Sequence, residues 1–175
     1  MNNKTKKLAI AAVLSAVAVV GSMFYFPVFG SKCAPVQHMV NIFCAVLLGP
    51  GYAVGAAFVA SLLRNIFSLG SLMAFPGSMI GALLAGFAYK ATKKPWLNLG
   101  LALVAEVFGT AVLGGLCAYP VAIFLMGVEA GSVTFYAYII PFLVSTVGGS
   151  IISGVIISAL QRAGVLAQVQ KSLEK

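Results

Sequence analysis

Between Leu8 and Arg162 the chain is a succession of long apolar runs, and only two formally charged side chains, Arg64 and Glu106, fall inside one. The other charges collect where runs begin and end. A bilayer core of about 30 Å asks for spans of about 20 apolar residues whose backbone groups are satisfied within the segment, so such runs read as membrane helices. With 61% hydrophobic and 8% charged residues and a mean hydropathy of +1.06, the chain lies well outside the soluble range.

The spacing predicts an all-α, polytopic membrane protein: one domain over residues 1–175 with six transmembrane helices at about 8–26, 36–48, 52–67, 76–89, 97–118 and 135–162. Ala16-Val17-Ala18 resembles a signal-peptide cleavage site, but the apolar run continues past it and favours a retained first helix. Gly30 to Pro35 reads as a loop, Gly49-Pro50-Gly51 as a sharp turn, and Pro120 as a residue that kinks or ends helix five. The tail after Arg162 reads as polar. Helix two, at about 20 Å, is short for a full span, so it sits in thinned bilayer, extends into the loop, or lies beside a cavity. Gly77, Gly81 and Ala85, and Ser150, Gly154 and Ser158, form small-residue stripes suited to helix packing.

Six spans put both termini on one side. Lys4, Lys6 and Lys7, then Lys90, Lys93 and Lys94, then Arg162, Lys171 and Lys175 all fall on that side, which the positive-inside rule makes cytoplasmic. Trp96 suits an interfacial anchor. The longer loops, at 30–35, 68–75 and about 119–134, then face outward.

The net charge of +8 is explained by these segment ends, without the interleaved aromatics of a nucleic-acid surface. Cys33, Cys44 and Cys117 form no C-x-x-C pair, and with one His there is no metal-ligand spacing. Neither a phosphate-binding G-x-x-x-x-G-K-[ST] nor a G-x-S-x-G motif is present, and the chain has no Asp. These absences weigh against an enzyme or an ATPase, and no cofactor is expected.

The polar groups fit for recognition concentrate in K-C-A-P-V-Q-H-M-V-N, where helical spacing puts Gln37, His38 and Asn41 on roughly one face. Arg64, about 18 Å along helix three, and Glu106, about 14 Å along helix five, are costly in lipid and must face the bundle interior. They either pair or line a ligand cavity. Thr110 is one turn beyond Glu106, and Ser145 reaches a similar depth on helix six.

The sequence resembles the S components of energy-coupling factor (ECF) transporters, and within them the thiazole-type ThiW family. The resemblance covers essentially the whole chain and is carried by K-C-A-P-V-Q-H-M-V-N, L-L-G-P-G-Y-A-V-G, S-L-L-R-N, A-F-P-G-S-M-I-G-A-L-L-A-G, A-E-V-F-G-T and A-Y-P-V-A. It implies an S-component-like bundle in the plasma membrane of a prokaryote that binds a thiamine precursor, hydroxyethylthiazole, at the outer face. It also implies partners: a transmembrane coupling subunit (EcfT) and two ATPase subunits, with ATP hydrolysis in those ATPases. Ala12 and Ala16 match the A-x-x-x-A motif by which the family's first helix docks on the coupling subunit. Substrate contacts are expected from Gln37, His38, Asn41, Arg64, Asn65, Ser78, Glu106, Thr110 and Ser145, with Phe75 and Tyr119 covering the ring. An S component for another vitamin and a self-sufficient small secondary carrier are the alternatives; no inverted repeat is visible for the latter.

Overall fold

The computed structural model describes residues 2–29 and 31–174; Gly30, where the sequence places a loop, and Lys175, counted in the basic tail, lie outside the described residues. The elements in order are α1 (Asn3–Gly21), β1 (Phe26–Val28), β2 (Ser31–Cys33), α2 (Pro35–Leu48), α3 (Pro50–Ile66), α4 (Ala74–Lys90), α5 (Pro95–Val107), a π-helical segment (Phe108–Gly114), α6 (Gly115–Met126), α7 (Ile139–Arg162) and α8 (Val165–Glu174). Proline stands in the first turn of α2, α3 and α5, where its fixed φ suits a helix start and its missing N–H leaves nothing unpaired. Gly49, at φ 88°, supplies the backbone reversal between α2 and α3 that other residues resist.

Helix α4 lies against α2, α3, α5 and the π-helical segment, α1 against α2 and α3, and α7 against α2, α5 and the π-helical segment. The interior is built from small side chains: Ala53, Ala57, Ala60, Ala82, Ala85, Ala102, Ala111, Ala118 and Ala122 are all buried. Ile42 and Ile157 are buried too, but most large apolar side chains point outward, with Val104, Phe124, Ile151 and Val155 well exposed. That is the reverse of a water-soluble core and is what a bilayer favours, since lipid is as apolar as leucine and helices associate by close backbone approach. The small-residue stripe of α4 does this: a Cβ on Gly109 would come within 2.9 Å of the Gly81 Cα, and one on Gly114 would overlap the Gly77 Cα. Two helices, Pro95–Met126 at 32 residues and Ile139–Arg162 at 24, are long and apolar enough to cross a membrane.

Several boundaries differ from those expected. Helix α1 starts at Asn3, where the Asn2 side chain accepts from the Lys4 N–H, and it ends at Gly21 rather than near Phe26. Val36 of α2 occupies the space a side chain at Gly21 would need. The chain then pairs β1 with β2 as an antiparallel hairpin, Phe26 opposite Cys33 and Val28 opposite Ser31, in place of the expected loop. Pro120 does not end its helix: α5, the π-helical segment and α6 run on to Met126, and a proline within a membrane helix is tolerated in this way. The connection that follows is therefore 127–138, and α7 begins at Ile139 instead of Phe135. The expected polar tail forms the amphipathic helix α8, which buries Leu166 and Leu173. Its Gln170 Nε2 donates to the Val46 carbonyl at 3.0 Å, and Lys6 Nζ donates to the Ser172 carbonyl at 3.1 Å, so both ends of the chain meet at one end of the bundle.

Candidate ligand cavity

At the opposite end, the first turns of α2, α4 and α7 and the last turns of α3 and α6 surround a cavity of about 250 Å³. Gln37 and His38 reach it from α2, Arg64 from α3, Ser78 and Gly77 from α4, Thr110 from the π-helical segment and Ser145 from α7. Met73, Ala74, Met126, Pro141 and Phe142 make its apolar walls, and Lys32 stands at the mouth. A few polar groups on an apolar wall are what fixes a small heteroaromatic ligand.

Beneath the lining lies one carboxylate. Glu106 is fully buried, and its Oε1 receives His38 Nδ1 at 3.2 Å, Asn41 Nδ2 at 3.0 Å and Thr110 Oγ1 at 3.2 Å. Asn41 Nδ2 also reaches Ser78 Oγ at 3.0 Å, and Gln37 Nε2 donates to Ser78 Oγ at 2.7 Å and to Ser61 Oγ at 3.1 Å. The network thus ties α2, α3, α4 and the helix of Glu106 into one frame. A buried carboxylate is tolerable only when hydrogen-bonded in this way. At the rim, Cys33 Sγ donates to the Pro141 carbonyl at 3.2 Å and fastens the hairpin to α7.

Two buried polar atoms have no partner among the described residues although their side chains line the cavity: Arg64 Nε and Gln37 Oε1. Buried polar groups are nearly always satisfied, so these two mark where a ligand's polar atoms belong. Arg64 and Glu106 do not pair. The Glu106 carboxylate is taken by α2, and the Arg64 guanidinium carbon sits by Gly70, in the loop after α3.

Of the expected contacts, Gln37, His38, Arg64, Ser78, Thr110 and Ser145 line the cavity, whereas Asn41 and Glu106 form the layer behind it. Asn65 lies outside, donating to the Ser61 and Ser71 carbonyls at 2.8 and 3.1 Å and holding the loop after α3. Phe75 packs its ring on Phe58 with centroids 5.6 Å apart, and Tyr119 packs against Ala118, Ala122 and Tyr138, so neither covers the cavity. Phe142, Met73 and Met126 take that place. Phe142 was within reach of the sequence, standing three residues before Ser145 on the same helical face. Ala12 and Ala16 are both exposed, Ala12 in an open apolar groove that α1 forms with Gly51, Tyr52 and Gly55 of α3, while Ala11, Ser15 and Ala18 are buried.

No curated protein matches the chain. The family model described as thiamine-precursor transporter protein (ThiW) matches residues 8–163, a span that takes in every helix bounding the cavity. The chain is a membrane protein with a small-molecule ligand, and it belongs to the ThiW family of thiamine-precursor transporters.

Proposed function

We propose that the chain is the substrate-binding S subunit of an ECF transporter, and that it captures hydroxyethylthiazole at the outer face of a prokaryotic plasma membrane. In this reading a single domain crosses the bilayer six times, by α1, α2, α3, α4, the continuous helix Pro95–Met126 and α7, with both termini in the cytoplasm. The observation that carries it is the cavity: it lies at the end of the bundle away from the lysines of α1, the Lys90–Lys94 turn and α8, and orphaned Arg64 Nε and Gln37 Oε1 belong to residues of its lining. The ring would lie between Met73 and Phe142, with His38 and Gln37 placed for the ring nitrogen and the hydroxyl.

Energy would come from elsewhere. The sequence has no phosphate-binding loop, and α1 offers Ala12 and Ala16 as a smooth outward face for the coupling subunit, whose two ATPases would supply the hydrolysis. The test is calorimetric titration of the purified chain with hydroxyethylthiazole, thiamine and the pyrimidine precursor. The thiazole alcohol is expected to bind most tightly of the three. Preference for an unrelated vitamin would end the thiazole assignment.

A further inference from the structure

We propose that the ligand held best by this cavity carries an oxyanion, a phosphate monoester or a carboxylate on the thiazole's side arm, and that Arg64 receives it. The proposal rests on the precursor-binding reading and narrows it to a charge state. Arg64 is only 5% exposed, its Nε lacks a partner, and no carboxylate lies within ion-pairing distance of it among the described residues. A guanidinium keeps its charge at any physiological pH, and an uncompensated buried charge is among the costliest things a fold can hold. Something that enters the cavity must compensate it.

The one nearby acid is not available for this. Glu106 Oε1 is engaged by three donors; Oε2 has no partner among the described residues, but it is turned to the α4 backbone, where a Cβ on Gly81 would stand 2.7 Å from it, and it lies beyond ion-pairing distance of Arg64. Lys32, whose Nζ lies 3.4 Å from the Ser68 carbonyl and over the Tyr25 ring, adds a second cation at the mouth. Among the lining residues, then, Arg64 and Lys32 are positive and none is acidic. Three positive helix ends, those of α2, α4 and α7, and two negative ones, those of α3 and α6, meet at this space, and both negative ends are partly covered: the Leu69 and Gly70 N–H groups donate to the Arg64 carbonyl at 2.7 and 3.1 Å, and the Val128 N–H donates to the Ala122 carbonyl at 3.0 Å. A planar guanidinium presents paired donors that match a carboxylate or phosphate edge. The same field disfavours thiamine itself, whose thiazolium nitrogen is quaternary and positive.

The experiment titrates the full chain in lipid nanodiscs with the thiazole alcohol, its phosphate monoester, a thiazole carboxylic acid of the same arm length, and inorganic phosphate. It is repeated on Arg64→Gln and Arg64→Lys. At least one of the two anions is expected to bind about tenfold or more tightly than the alcohol, the worth of a charge-assisted hydrogen bond. That advantage should vanish in Arg64→Gln and partly return in Arg64→Lys, and whichever anion keeps it identifies the group. Alcohol binding as tight as both anions overturns the proposal, as does an Arg64→Gln loss that is equal for alcohol and anions. The wild-type ratio decides even if Arg64→Gln does not fold. If no thiazole binds, the thiazole reading falls, and the oxyanion assignment then stands only if inorganic phosphate raises the thermal stability of the wild type but not of the Arg64 variants; no such rise overturns it too.

Discussion

His38 Nδ1 and Glu106 Oε1 stand 3.2 Å apart, the one contact between a basic and an acidic side chain among the described residues, and it joins the cavity lining to the frame behind it. His38 keeps 12% of its side-chain surface open, whereas Glu106 has none, so a ligand meets the imidazole and the carboxylate holds that ring in place. His38→Ala is therefore expected to weaken thiazole binding by about 1 to 3 kcal/mol through the lost cavity contact, and to lower thermal stability as well because Glu106 loses one of its three donors. Titration and thermal unfolding of the same preparation separate the two. A variant that binds normally would put the site elsewhere.

Asn41 differs in acting through the frame alone. Its amide serves Ser78 and Glu106 and does not reach the cavity, so Asn41→Ala leaves a buried carboxylate short of a donor. Thermal unfolding is expected to show a loss of about 1 to 3 kcal/mol, and weaker binding only as a consequence. Glu106→Gln should likewise appear first as poor folding, because the neutral amide gives its neighbours a weaker acceptor.

Two glycines make a matched pair. A methyl at Gly81 would collide with Glu106 Oε2 and Thr110, so Gly81→Ala is expected to cost at least about 1 to 3 kcal/mol and to abolish binding. Gly55, inside α3, has open space around its Cβ position, and Gly55→Ala should be neutral or gain about 0.5 to 1 kcal/mol through helix propensity. Comparable melting temperatures for the two would show that α4 does not need its close approach.

Ala12→Leu with Ala16→Leu should leave the isolated chain's fold and ligand affinity unchanged, because both positions are exposed and the groove beside Ala12 is open. Yield of the complex with coupling and ATPase subunits should fall. Undiminished co-purification would remove α1 as the docking face.

Where local chemistry decides, the sequence was readable: Pro35 and Gly49-Pro50 fix α2 and its turn with no help from the rest of the chain, and Gln37, His38 and Asn41 do share a face. The spacing Leu166, Val169, Leu173 held an amphipathic signal for α8 that a mean polarity hides. Three-residue strands such as Phe26–Val28 are too short for any periodicity to reveal. The partners of Arg64 and Glu106 depend on how far each helix is rotated about its own axis, which depth along the helix does not give. Depth likewise does not distinguish Phe75 and Tyr119, which pack on neighbouring side chains, from residues that line the cavity.

The seven residues Phe108–Gly114 set the timing of the longest helix. In an unbroken α-helix, at about 100° per residue, Ala118 would lie about 160° around the axis from Ala102, and one of the two would face lipid. Both are buried, as are Glu106 and Ala122, because the wider π turns delay the winding and bring the second half back into phase with the first. A single residue removed from that stretch would restore ordinary α winding at almost the same total rotation, so this is the place in the bundle where the chain can be shortened by one without turning its inner face outward.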